Sequence, residues 1–151
     1  MKPVIVPATM EHAVAIAPRL RLEDALEIRR GGLIDPLDVI TRSIAMSLHS
    51  WAWLIEERPA AVFGVAGDLI GRAAMPWLLT TDDVPRHAKT FWKVSLALKP
   101  LMCEAYPGLA GYCDARYEAS ARWLKRLGFT LHGPEPFGAI GMPFYRFSME
   151  P

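Results

Sequence analysis

The chain has 151 residues, 52% of them apolar and 22% charged, with a formal charge of +1. That size and composition fit one globular domain with a sizeable core and exclude a disordered chain. With so small a net charge no strong field points to nucleic acid, although a local basic patch stays open; two cysteines make no disulfide framework, and no apolar run reaches the roughly 18 residues of a membrane span.

Met1-Lys-Pro-Val-Ile-Val-Pro7 is too short and too Pro-interrupted for a signal peptide, so the chain reads as cytoplasmic, and Val4 to Val6 is a first strand. Thr9 is an N-cap with Glu11 in the first turn, opening a helix over about Met10 to Ala17. Pro18 interrupts it. Leu20, Leu22, Leu26 and Ile28 continue at mixed spacing to Arg30, and Gly31-Gly32 end the element. Asp35-Pro36, a cap followed by Pro at the first helical position, opens a helix with the apolar face Leu37, Ile40, Ile44 and Leu48. Trp51 to Ile55 and Ala60 to Ala66 form a hairpin with Arg58-Pro59 as its turn. Ala73 to Leu79 is a further strand, in which Pro76 predicts an edge or a bulge. Thr80 to Pro85 is a loop.

From Arg86 a long helix carries the stripe Phe91, Val94, Leu98, Leu101 and Ala105, kinked at Pro100 and ended by Pro107-Gly108. Leu109 to Cys113 is a buried strand. Tyr117 to Leu127 is a short amphipathic helix in which Ser120, Trp123, Leu124 and Leu127 make the apolar stripe. Arg122, Lys125 and Arg126 lie off that stripe, and Gly128 stands where a left-handed cap is needed. Phe129 to Leu131 opens a strand, His132 to Pro143 is a Gly/Pro-rich loop, and Phe144 to Met149 is the last strand. Strand, long helix and strand over residues 73 to 113 make a parallel crossover unit. No linker or repeat divides residues 1–151, which are read as a single domain.

The last helix and its Gly128-Phe129 exit resemble the helix-to-strand junction of GNAT-fold N-acetyltransferases, where Asn-x-x-Ala-x-x-x-Tyr-x-x-x-Gly-Phe is common. Here Tyr117 stands at the Asn position, Ser120 at the Ala position and Leu124 at the Tyr position. The order of elements is similar to that fold over the whole chain. Further fragments resemble a phage branch of the fold, related to internal virion protein A. They are Pro7-Ala-Thr-Met-Glu-His-Ala13, Ala17-Pro-Arg-Leu-Arg21, Ala61-Val-Phe-Gly-Val65, Pro76-Trp-Leu-Leu-Thr-Thr-Asp-Asp83, Tyr112-Cys-Asp-Ala-Arg116, Ala121-Arg-Trp-Leu124 and Gly141-Met-Pro-Phe-Tyr-Arg-Phe147. The resemblance implies an α/β GNAT-like domain with helices on both faces of a central mixed sheet splayed between its fourth and fifth strands. It implies acetyl-CoA as cofactor, a phage structural protein or a host protein as partner, and the host cytoplasm or the virion as location.

Acyl transfer needs backbone donors for the diphosphate, an oxyanion donor for the thioester, and an acid and a base. The resemblance puts the first at Leu79, Thr80 and Thr81 with the segment to Lys89, where Arg86, His87 and Lys89 are the cofactor-binding candidates. That segment, Thr81-Asp-Asp-Val-Pro-Arg-His-Ala-Lys89, has no glycine. Pro85 removes a donor, and Asp82 and Asp83 oppose an anion, so weak acetyl-CoA binding is expected. Leu124 cannot transfer a proton. Tyr117, Ser120 and Glu56 are the catalytic candidates, each with a packing or turn role as its alternative. The four histidines are scattered and give no metal spacing. Two functions stay open: a phage or prophage protein of virion assembly or host interaction with a degenerate acyl-CoA motif, and an acetyl-CoA-dependent N-acetyltransferase.

Overall fold

The computed structural model describes residues 4–67, 74–106 and 108–150. Two sheets stand side by side. The first has strand order β1-β2-β3-β4, from β1 (Val4–Pro7), β2 (Ser47–Ile55), β3 (Arg58–Ala66) and β4 (Met75–Thr80), all antiparallel. The second has order β5-β7-β6, from β5 (Leu109–Asp114), β6 (Thr130–Phe137) and β7 (Met142–Met149). The two meet at one parallel bridge between Ala74 and Leu109. Beyond it β4 and β5 run on without pairing, so the mixed sheet is splayed between its fourth and fifth strands as expected.

Period-2 alternation divides the first sheet's side chains between two helical layers. Ala52 and Val62 face one side, with Ala13 and Ile16 of α1 (Met10–Ile16), Ile28 of α2 (Leu22–Arg30) and Ile40 of α3 (Pro36–Met46). Trp53, Ala61 and Phe63 face the other, against Val94 and Leu98 of α5 (Ala88–Ala105). The second sheet is covered by α6 (Glu118–Leu127), whose Leu124 packs on Cys113 and Phe147.

The helix ends follow from local chemistry. Thr9 and His12 form a reciprocal capping box at α1, at 3.3 and 3.0 Å. Asp35 accepts from the Leu37 amide at 3.1 Å with Pro36 at the first helical position. Gly128 caps α6 at φ +106°, while the Phe129 amide reaches back to the Leu124 carbonyl at 3.0 Å. Leu124 and Phe129 then touch in the core, which completes a Schellman end.

Several boundaries differ from the sequence reading. Leu48 lies on β2, because α3 stops at Met46 and the Ser47 hydroxyl donates to the Ser43 carbonyl at 2.6 Å. Arg58 and Pro59 belong to β3, and the turn is Glu56-Glu57. The fourth strand runs to Thr80, and its expected first residue, Ala73, lies outside the described residues. Asp83–Arg86 is a short helix, α4, where a loop is expected, and Ala88 begins the long one. Helix α5 continues through Pro100; Leu101 is 54% exposed and Met102 packs in its place. Pro107, expected to end α5, lies outside the described residues. Trp123 is half-buried, donating to Ser95 Oγ at 3.1 Å. The Gly/Pro-rich stretch from His132 to Phe137 is part of β6. That strand is the edge of its sheet, where Pro134 and Pro136 sacrifice no central ladder bond.

The β2–β3 turn has only two residues, Glu56 at φ +50° and Glu57 at φ +67°. Positive φ at both positions is type I′ geometry, which suits Asn-Gly and strains β-carbon-bearing residues. Replacing Glu56-Glu57 by Asn-Gly is expected to stabilise the protein by about 1 kcal/mol and raise Tm by roughly 2–4 °C; a melt unchanged or lowered by the exchange would show that the turn is not strained.

Candidate active site

The wedge opens toward the carboxyl ends of β4 and β5, where open α/β sheets place ligands. Helix α2 crosses that end. Its buried side chains are Asp24 and Ile28, so this amphipathic helix turns an acid inward. Asp24 is 4% exposed and accepts the Thr80 amide at 2.6 Å and the Thr80 hydroxyl. The Tyr117 hydroxyl approaches the same carboxylate. Burial raises the Asp24 pKa, and these hydrogen bonds and Arg21 oppose the rise.

Glu27, one turn later on the same helix, accepts the Asp114 amide through Oε2 at 2.9 Å. Burial, then the neighbouring Asp24 and Asp114, push its pKa up to about 7. Its side chain keeps some solvent contact. Asp114, fully buried at the end of β5, accepts from Arg30 at 2.6 Å and from the Arg116 amide at 2.9 Å. Cys113 lies beside them as a buried free thiol, pushed up to about 12 mainly by burial. Arg21 hydrogen-bonds the Thr80 carbonyl through its amide at 2.8 Å and lays its guanidinium 5.6 Å from the Tyr117 ring centre.

The sequence candidates separate into three groups. Leu79, Thr80, Thr81 and Tyr117 converge on this carboxyl end and are all buried. Tyr117 is the residue before α6, and burial, then Asp24, raise its pKa, so its hydroxyl stays protonated. Thr81 is spent structurally, its hydroxyl donating to the Ala60 carbonyl at 2.8 Å. Arg86, His87 and Lys89 cluster at the start of α5, where no side chain caps the helix and no acid stands in the first turn. Arg86 and Lys89 are exposed, and the His87 ring meets the Asp83 carbonyl at 2.9 Å. Glu56, in the hairpin turn, lines a cleft of about 220 Å³ with Ile55, Arg58 and His87, and so meets the second group and not the first. Ser120 is half-buried within α6 and joins neither group.

Asp83 departs from expectation. It is not an exposed charge opposing a ligand: it is 4% exposed and binds Arg19 and Arg58, each at 2.7 Å. Asp82 alone keeps an exposed carboxylate there. A hollow of about 500 Å³ opens at the far end of α5, lined by Cys103, Tyr106, Leu109 and Met149, away from every converging polar group above. Among the described residues no set of three or more His, Cys, Asp or Glu side chains is placed to hold a metal. Among them, too, no helix is long and apolar enough to cross a membrane.

The Glu27 environment makes stability pH-dependent. Folded, its carboxyl holds a proton to about pH 7; in the ordinary state it releases it near 4.5. The native state therefore binds the extra proton, and stability falls as pH rises through that window. Glu27→Gln, which keeps an acceptor for the Asp114 amide, is expected to flatten the Tm-versus-pH curve between pH 5 and 8 and to stabilise by about 1–3 kcal/mol at pH 8. Parallel curves for the two proteins would show that Glu27 ionises normally.

No protein-family profile matches the chain, and no curated protein matches it in sequence. Solved structures do match it in shape. An acetyltransferase of the GNAT family from Streptococcus pneumoniae superposes with TM-score 0.62 at 10% identity, over 99% of each chain. The ribosomal-protein-S18-alanine N-acetyltransferase from Escherichia coli gives 0.68 at 13% identity, over 99% of this chain and 94% of its own. A structure from Acinetobacter baylyi ADP1 gives 0.75 at 15% identity, over 99% of this chain and 93% of its own. The chain therefore has the α/β fold of the GNAT acetyltransferases.

Proposed function

We propose that this protein is an acyl-CoA-dependent N-acyltransferase, with acetyl-CoA as donor and an amine as acceptor. The observation that carries the reading is the wedge between β4 and β5 with Glu27 at its carboxyl end. Glu27 is a carboxyl poised near neutrality, and a base matched to the working pH is what deprotonating an amine requires. Its hydrogen bond to the Asp114 amide engages Oε2 and fixes the group's direction. The Tyr117 hydroxyl, held protonated, lies at the same end of the wedge against Asp24, one turn before Glu27 on α2. Bound acyl-CoA supplies the thioester that the amine attacks.

The residues present fit the anionic part of that cofactor. The uncapped amides at the start of the 18-residue α5 face solvent beside Arg86 and Lys89. Asp82 opposes it, and Asp24 already occupies the Thr80 amide at the end of β4. Both features predict weak binding.

That second feature also supports the other reading, a phage protein of virion assembly or host interaction on an acetyltransferase scaffold. A wedge whose terminal donors are satisfied from within is what a scaffold freed from catalysis would keep. The sequence fragments similar to the internal virion protein A branch point the same way.

Calorimetry with acetyl-CoA, paired with release of free CoA thiol over a panel of small amines and peptide N-termini, separates the two. Weak wild-type binding is expected to tighten about fivefold in Asp82→Asn, the equivalent of about 1 kcal/mol for one screened charge. Glu27→Gln is expected to lower turnover by about 10²–10⁴-fold with acetyl-CoA binding unchanged. Absence of both binding heat and thiol release would remove the enzyme and leave the assembly reading standing.

A further inference from the structure

The chain-wide charge of +1 is a sum over two unlike parts. Helices α5 and α6 carry six cations, Lys89, Lys93, Lys99, Arg122, Lys125 and Arg126, against two acids, Glu104 and Glu118. The rest of the chain is therefore net negative.

The two helices lie side by side. Phe91 stacks on Trp123 with ring centres 5.6 Å apart, and Trp123 bonds Ser95 across the seam. Their apolar sides, Val94 with Leu98 and Leu124 with Leu127, are buried, so the cations share one outward face. Five of the six cations are exposed, and Lys99 leans over Gly128 at the end of α6. Among the described residues only Arg122 has a carboxylate partner, Glu118 at 3.8 Å, and that pair is exposed on both sides. In the middle of the face Arg126 lies over the Trp92 ring, 4.2 Å from its centre.

We propose that this α5–α6 face binds single-stranded nucleic acid, an activity separate from acyl transfer. The cations of this face, five of the six without a carboxylate partner among the described residues, neutralise phosphates, and releasing the condensed counterions drives binding. From Lys89 to Lys99 the helix axis advances about 15 Å, and the six cations spread over α5 and α6 can neutralise about four or five phosphates of a strand laid across them. The Trp92–Arg126 stack adds a planar aromatic and guanidinium surface, on which an unpaired base can lie. A duplex hides its base faces, and the Trp92–Arg126 surface offers a place only to an unpaired base, so the single strand is the form that fits. The opposite charges nearby, Asp82, Glu56 and Glu57, lie at the start of α5 and keep the acyl-CoA pole distinct from the centre of this face.

The experiment is fluorescence anisotropy of a labelled 12-nucleotide oligo(U) from 50 to 200 mM NaCl. Wild type is expected to bind with a slope of log affinity against log salt near −3, which corresponds to four or five phosphates at about 0.7 each. Lys93→Glu/Lys125→Glu is expected to lose at least tenfold in affinity. Arg29→Glu, an exposed charge change on α2, is expected to lose less than twofold. Trp92→Leu is expected to weaken binding severalfold while leaving the salt slope unchanged. Acetyl-CoA calorimetry on the double variant is expected to match wild type, so the result stands or falls independently of the acyltransferase reading. The proposal is overturned by no binding at 50 mM NaCl, or by equal losses in Arg29→Glu and the double variant. Binding to phosphatidylserine vesicles but not to the oligonucleotide would also overturn it.

Discussion

Asp24 holds together the end of the molecule where the two sheets part. It accepts the amide and hydroxyl of Thr80 from β4, and the Tyr117 hydroxyl approaches it from the start of α6. A carboxylate taken out of water is costly unless donors surround it, and here three converge from two other elements. Among the described residues β4 and β5 meet only at the Ala74–Leu109 bridge, so no sheet ladder fixes the separation of their far ends. Side-chain hydrogen bonds from α2 do that instead. Because Glu27 follows Asp24 at helical spacing, the same anchor lays Glu27 against the Asp114 amide.

The buried acids differ in what neutralises them. Asp83 lies between Arg19 and Arg58, so its charge is compensated by neighbouring cations. Asp114 has Arg30 at 2.6 Å. Asp24 and Glu27 instead rely mainly on neutral donors, and desolvation dominates both: it raises the pKa of each and brings that of Glu27 to about 7. The cations bound to these acids come from the strands and the N-terminal helices. Those of α5 and α6 remain largely unpartnered at the surface, so one distribution of charge yields both an acidic interior cluster and a basic exterior face.

Much of the architecture was legible because it rests on short-range chemistry. Thr9, Asp35-Pro36 and Gly128 mark helix ends through their own backbone preferences. The strand–helix–strand pattern around α5 implies the parallel crossover and hence the splay. The misread boundaries share a physical origin. Proline and glycine in β6 look like loop residues until the strand is known to be an edge, and Glu56-Glu57 lacks the Asn-Gly signature of the turn it forms. The site was legible only in part: Thr80 and Tyr117 reach the wedge, whereas Glu56 and Ser120 do not join them. Asp24 and Glu27 went unseen because acids on a helix are ordinarily its solvent side, and Asp114 because the strand was read only as far as Cys113. The mixed spacing of Leu20, Leu22, Leu26 and Ile28 was the trace of a helix that turns acids inward, and Leu22 is 67% exposed.

By itself the sequence determined the order and type of most elements, since capping, side-chain periodicity and crossover handedness act within a few residues or along one connection. It also determined the absence of a glycine-rich phosphate segment after β4, which is a matter of composition. Only the tertiary structure decided which acids would lose their water and which cations would stay unpaired. A pKa and an ion pair depend on groups brought together from distant positions, as Glu27 meets Asp114 and Arg126 meets Trp92. Desolvation and Coulomb energy are set by those distances in space, which residue spacing along the chain does not specify.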